Sequence, residues 1–167
     1  VRDWRPGDAT ACAAIYAPWV AETTVSFELE PPDADEIARR FAALIAQGYP
    51  VLVAEVDGVV AGYAYASAFR ARPAYRGTVE NSVYVDRARH GAGIGRALMQ
   101  ALIARCAAAG FRRMVAVIAD SANVGSIGFH RALGFEDGGV LPGVGLKFGR
   151  ELDIVLMWRV LAVDGNG

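Results

Sequence analysis

The 167 residues read as one mixed α/β domain spanning 1–167 rather than a doubly wound one. Two apolar runs in "YPVLVAEVDGVVAGYAYASAF" meet at Asp57-Gly58, a two-residue hairpin signal that starts an antiparallel sheet. A third run, "GTVENSVYV", leads through a glycine turn into a helix pattern and then into "RRMVAVIAD", a βαβ unit whose strands must be parallel. Antiparallel and parallel pairs in one chain call for a mixed sheet.

Composition narrows the function classes. At 54% hydrophobic residues the chain can bury a real core, and a net charge of -1 gives no basic footprint for nucleic acid or a membrane surface. Cys12 and Cys106 stand far apart with no CxxC spacing, and only two histidines accompany them, so both thiols read as small core side chains and no metal site is expected. There is no signal-peptide pattern and no apolar run near the ~18 residues that span a bilayer, which makes a cytoplasmic protein the expectation.

In chain order, "VRDW" is a short strand. "PGDATACAAIYAPWV" is a helix with Asp8 as N-cap, limited by Pro18. "PPDADEIARRFAALIAQG" is capped by Asp33, with Glu36 completing a capping box, Ile37, Phe41, Leu44 and Ile45 on one apolar face, and Gly48 at its end. After the hairpin and the third strand, a helix runs from about Gly95 to Ala109 and stops at Gly110. The next begins near Asn123 and ends before Gly134, and "LKFGRELDIVLMWRVL" closes the chain with a turn and a final strand.

The turn "RHGAGIGRAL" carries Gly91, Gly93 and Gly95 between a strand and a helix start, where unpaired amides and the helix dipole favour an anion. It lacks the Gly-Lys-Ser/Thr ending of a Walker A loop, and Arg96 stands where a Rossmann turn needs its third glycine. A tight turn that merely uses glycine for positive φ is the alternative.

The spacing H-x-x-G-x-G resembles the acetyl-CoA pyrophosphate loop of the GNAT superfamily of N-acetyltransferases, with His90 in place of the usual Arg or Gln. "TTVSFELEPP", "YPVLVAEVDGVVAGYAYA", "FRARPAYRGTVENSVYV", "GFRRMVAVIADSAN", "FHRALGF" and "GLKFGRELD", in that order, are similar to the phosphinothricin and methionine sulfoximine acetyltransferase branch. The resemblance implies a twisted mixed sheet of about six to seven strands flanked by about four helices. It also implies acetyl-CoA as cosubstrate without a metal, and a homodimer acting on a small amino acid or analogue. The cofactor would be held by Gly91, Ala92, Gly93, Ile94, Gly95 and Arg96, by the backbone of Val83, Tyr84 and Val85 on a splayed strand, and by Asn123, whose alternative role is a helix N-cap.

N-acetylation needs a base for the amine and an outlet for the thiolate. Glu80 is the base candidate: a carboxylate in an otherwise apolar strand is desolvated, which raises its pKa, and the branch assigns this position as base. His130, where most GNAT enzymes carry a tyrosine acid, is either that acid or structural. No cysteine stands beside a histidine, so direct transfer in a ternary complex is expected. Arg70 and Arg72 would share one side if their segment is extended and could grip the acceptor's carboxylate. A solvated basic loop is the alternative. Asn81, Ser82, Phe27, Phe69, Tyr75 and Lys147 are further candidates for the acceptor pocket. An acetyltransferase for protein N-termini or polyamines and a non-catalytic CoA sensor are the rival functions. The arginine pair has the wrong sign for polyamines, and a sensor could dispense with Glu80.

Overall fold

A computed structural model of the protein describes residues 1–161, and residues 162–167 of the expected domain lie outside the described residues. Seven strands form one sheet in the order β1-β2-β3-β4-β5-β7-β6. They are β1 (Arg2–Asp3), β2 (Val51–Val56), β3 (Val59–Ala68), β4 (Thr78–Val85), β5 (Arg113–Ala119), β6 (Glu136–Lys147) and β7 (Arg150–Val160). Four α-helices join them, α1 (Ala9–Glu22), α2 (Ala34–Ala46), α3 (Ile94–Ala108) and α4 (Val124–Ala132). Among the described residues only β4 and β5 run parallel, and α3 makes the crossover between them. The expected sheet and helix numbers are met.

Turn chemistry explains the hairpins. Asp57 and Gly58 both take positive φ, +54° and +78°, between the paired residues Val56 and Val59, as a primed turn requires. Phe148 and Gly149 do the same between Lys147 and Arg150. Strand alternation then divides the core into two layers. Leu52, Ala64, Val79, Met114 and Met157 meet Leu98, Met99 and Leu102 of α3 on one face, while Val51, Val53 and Tyr63 meet Cys12, Ile15, Val20 and Phe41 of α1 and α2 on the other. Both cysteines are fully buried and unbridged, and burial pushes each thiol up to about 12.

Local readings of the sequence fail where a distant contact outweighs them. Pro18 does not limit α1, which runs four residues further to Glu22. Val20 beyond it is fully buried, and the Trp19 indole donates to the Val85 carbonyl at 3.1 Å, so tertiary contacts offset the lost intrahelical bond. Asp8 occupies the N-cap position without a capping bond; its carboxylate takes the Arg2 guanidinium at 2.8 and 2.9 Å, which holds its pKa low. Asp33 does cap α2 by accepting from the Glu36 amide, but Glu36 turns outward to Arg39 and Arg40 instead of closing the box. Ile45 points to solvent while Ile37 and Phe41 are buried. The first part of β6 gives no strand signal because it contains Gly138, Gly139, Pro142 and Gly143 and lies exposed; pairing with β7 makes it a strand.

Candidate active site

Parallel pairing of β4 with β5 stops after Glu80 opposite Val115, although β4 continues to Val85 and β5 to Ala119. A cavity of about 790 Å³ fills the resulting split. It is lined by Glu80 to Val85 of β4, Ala116 to Ala119 of β5, the glycine turn, Asn123 with Ser126, Phe129 and His130 of α4, and Trp19, Ser26 and Phe27. Because the gap opens through the sheet, side chains from both faces reach it. Glu80 and Ser82 come from the α1 face, Asn81 and Val83 from the α3 face.

At the wide end of the split, Gly91 and Gly93 sit at φ +83° and +78°, and a Cβ on either would meet nothing within 4 Å. Gly93 is the N-cap of α3, and the first intrahelical bond there runs from the Ala97 amide to the Gly93 carbonyl at 3.0 Å. The amides from Ile94 to Arg96 therefore point out of the helix unpaired, over open space, where an anion can lie against the backbone. Gly91, Gly93, Ile94, Gly95 and Arg96 line the cavity. Ala92 does not; its amide turns inward to the Arg89 carbonyl.

At the narrow end stands Glu80. Its carboxylate makes no hydrogen bond or ion pair among the described residues, and burial raises its pKa while the charge of Arg70 lowers it in part. An unpaired carboxylate of raised pKa at a cavity wall is suited to accept a proton near neutral pH.

His130 is 4% exposed, and both its ring nitrogens are engaged. Nδ1 lies 2.8 Å from the Ser126 carbonyl, which can only accept, so Nδ1 carries the proton; Nε2 then accepts from the Asn81 side-chain amide at 3.0 Å. The hydrogen bonds thus favour the structural alternative for His130 over the general acid, since Nε2 has no proton to give. The pair also fixes the Asn81 amide, whose Oδ1 is buried without a partner among the described residues. Asn123 caps α4, accepting from the Ser126 amide at 3.2 Å, and lines the cavity as well, so its two expected positions coincide.

Burial lowers the His130 pKa below that of a free imidazole. The unfolded chain therefore binds this proton first as pH falls, and the stability that His130 contributes is present above about pH 6.5 and lost below it, toward the folded pKa. Urea midpoints of wild type and His130→Gln should accordingly differ more at about pH 7.5 than at about pH 5.5. A constant difference would mean that His130 does not titrate on unfolding.

The acceptor candidates divide. Phe27, Asn81 and Ser82 line the cavity with Glu80. Arg70 is exposed and stacks on Phe69, its guanidinium carbon 4.4 Å from the ring centre, near enough for its charge to act on Glu80. The premise of an extended segment fails. The chain bends at Phe69 and enters a 3-10 turn at Pro73–Tyr75, so Arg72 and Tyr75 lie exposed outside the cavity wall, Tyr75 edge-on to Phe69. Lys147 is no pocket wall either: it is 3% exposed, and its ammonium donates to the carbonyls of Val20 and Ser26. His90, the first position of the loop motif, lines the cavity, and residues not anticipated from sequence include Arg89 beside it, and Trp19, Ser26, Ser126 and Phe129. For Arg89 the signal is there to be found, a cation adjoining a candidate phosphate loop. The other side chains come from helices and a loop whose approach no local pattern announces.

Comparison with known proteins places these features. The profile of the Acetyltransferase (GNAT) family matches residues 13–135. The chain is 49% identical to a phosphinothricin N-acetyltransferase of Alcaligenes faecalis, over 96% of this chain and 82% of that protein. It is 46% identical to an L-methionine sulfoximine/L-methionine sulfone acetyltransferase of Pseudomonas paraeruginosa, over 94% of this chain and 91% of that one. Among solved structures, a GNAT superfamily phosphinothricin acetyltransferase from Sinorhizobium meliloti in complex with acetyl-CoA superposes with a TM-score of 0.92 at 46% identity, covering 96% of this chain and 87% of that one.

Proposed function

We propose, since the chain belongs to the GNAT acetyltransferase family, that it moves acetyl from acetyl-CoA to the α-amino group of a small amino acid or analogue such as phosphinothricin, methionine sulfoximine or methionine sulfone. The protein is an acetyl-CoA-dependent N-acetyltransferase, and its acceptor class follows from relatives named for those compounds. One observation carries the reading to this chain's own residues: an unpaired carboxylate of raised pKa, Glu80, ends a split whose other end is a cradle of free amides.

The residues fit acetyl-CoA. The amides of Ile94 to Arg96, above the open glycines, suit its pyrophosphate, and Asn123 stands beside them. The β5-facing backbone edge of Val83 to Val85, left without a strand partner by the split although the Val85 carbonyl takes the Trp19 indole, suits its pantetheine arm, which carries an activated thioester. Glu80 takes the amine proton. Asn81, oriented by His130, and Ser82 flank the reacting end, Phe27 walls the acceptor side, and Arg70 offers its guanidinium to the acceptor's carboxylate from beside Glu80. Arg72 and Tyr75 could join only by a movement of the loop that carries them.

Two further parts of the reading concern the setting. A homodimer is supported by the exposed edge strand β6, whose Val140, Leu141, Val144 and Leu146 face solvent. Two unbridged cysteines fit a reducing cytoplasm, and among the described residues no helix is long and apolar enough to cross a membrane.

The test is thiol release from acetyl-CoA with amino acids, their sulfone, sulfoximine and phosphinate analogues, polyamines and peptides as acceptors. Release with the amino acid set, and little with polyamines or peptides, is the expected result. Tight acetyl-CoA binding without release from any acceptor would overturn it in favour of a sensor.

A further inference from the structure

Gly145 and Lys147 lie two residues apart on β6 and so share one face of it. The buried Lys147 ammonium donates to the Val20 carbonyl of α1 at 2.7 Å and to the Ser26 carbonyl at 2.6 Å. The Tyr16 hydroxyl meets Ser26 Oγ at 2.6 Å. Together these bonds fix the chain immediately before Phe27. The Phe27 ring then lies over Gly145, where a Cβ would stand 2.4 Å from Cε2 and 2.5 Å from Cζ, far inside the roughly 3.5–4.0 Å of ordinary carbon contact. Gly145 is not among the positive-φ glycines. The ring, and not the backbone, is what a side chain here would offend.

We propose that this face of β6 is the platform that sets acceptor specificity, an inference that rests on the amino acid acetyltransferase reading above. Lys147 is a positioning residue: it acts through the Ser26 carbonyl on the residue that walls the cavity. Gly145 lets the Phe27 ring lie back against the strand, and the recess so left admits a bulky tetrahedral head group of the acceptor. Phe27 shares the cavity wall with Glu80, so the recess opens onto the same space as the base. The ring is the far end of a side chain, 38% exposed. A methyl at position 145 therefore displaces the ring, off β6 and into the cavity or out of it, more readily than it distorts the strand.

The test is Gly145→Ala, alone and combined with Phe27→Ala. A crystal structure of Gly145→Ala should show the ring moved by about 1 Å or more from its seat. Its kcat/KM for methionine sulfone or phosphinothricin should fall roughly tenfold or more through KM, less for an acceptor with a small side chain, with the KM for acetyl-CoA unchanged. In the Phe27→Ala background the same substitution should have little effect. An unmoved ring, an equal loss for all acceptors, or an undiminished loss without Phe27 would each overturn the platform. A wild-type protein that acetylates no amino acid would overturn the underlying reading instead, and the ring position in Gly145→Ala would still decide whether β6 seats Phe27.

Discussion

Glu80→Gln is expected to lower turnover by about 10² to 10⁴ while acetyl-CoA affinity stays near that of wild type. The amide keeps the shape and polarity of the side chain but cannot take a proton from the acceptor ammonium. Glu80 is the last β4 residue paired with β5, at the end of the split away from the glycine cradle, so its substitution leaves the proposed cofactor contacts in place. Wild-type activity should fall on the acid side as Glu80 protonates, at a pH above the usual carboxylate range because burial raises its pKa. The variant should lose that limb along with most of its rate. Residual activity that kept the acid limb would assign the proton transfer to another group.

Gly93→Val should weaken acetyl-CoA binding roughly tenfold to hundredfold in a protein that still folds. Gly93 has φ +78° at the start of α3, a conformation that a β-branched residue resists. Relief of that strain would turn the first amides of α3 away from the phosphate position, and the branched side chain would fill the space the anion uses. Titration calorimetry, with circular dichroism to confirm the fold, reads the change. Wild-type affinity in a folded variant would remove the turn from the cofactor site.

Elements specified by local chemistry are legible in the amino-acid sequence. Asp57-Gly58 can hardly be other than a turn, and Asn123 marks a helix start by its own capping preference. Glu80 stands out because a carboxylate in an apolar strand demands an explanation, and the fold puts it at the cavity wall. Long-range geometry is not legible in the same way. Pro18 is overruled by Trp19 reaching Val85, and Lys147, expected in the acceptor pocket, proves to be an internal tie between β6 and α1. Arg70 and Arg72 look equivalent at their spacing, yet the bend at Phe69 leaves only Arg70 close enough to act on Glu80. No sequence pattern joins Phe27 to Gly145.

The short pairing of β4 with β5 also bears on how the molecule stays together. A sheet ordinarily has free borders only at its outermost strands, here β1 and β6. This one has two more in its middle, so it behaves as two half-sheets stitched by three residue pairs, Thr78 to Glu80 with Arg113 to Val115. A pantetheine arm that bonds both borders would act as a suture between the halves. Occupancy then becomes part of the fold's cohesion: ligand at a hundred times its Kd adds about 2.7 kcal/mol to the stability of whatever binds it. The enzyme would be at its loosest between turnovers, when spent cofactor has left and the next has not arrived.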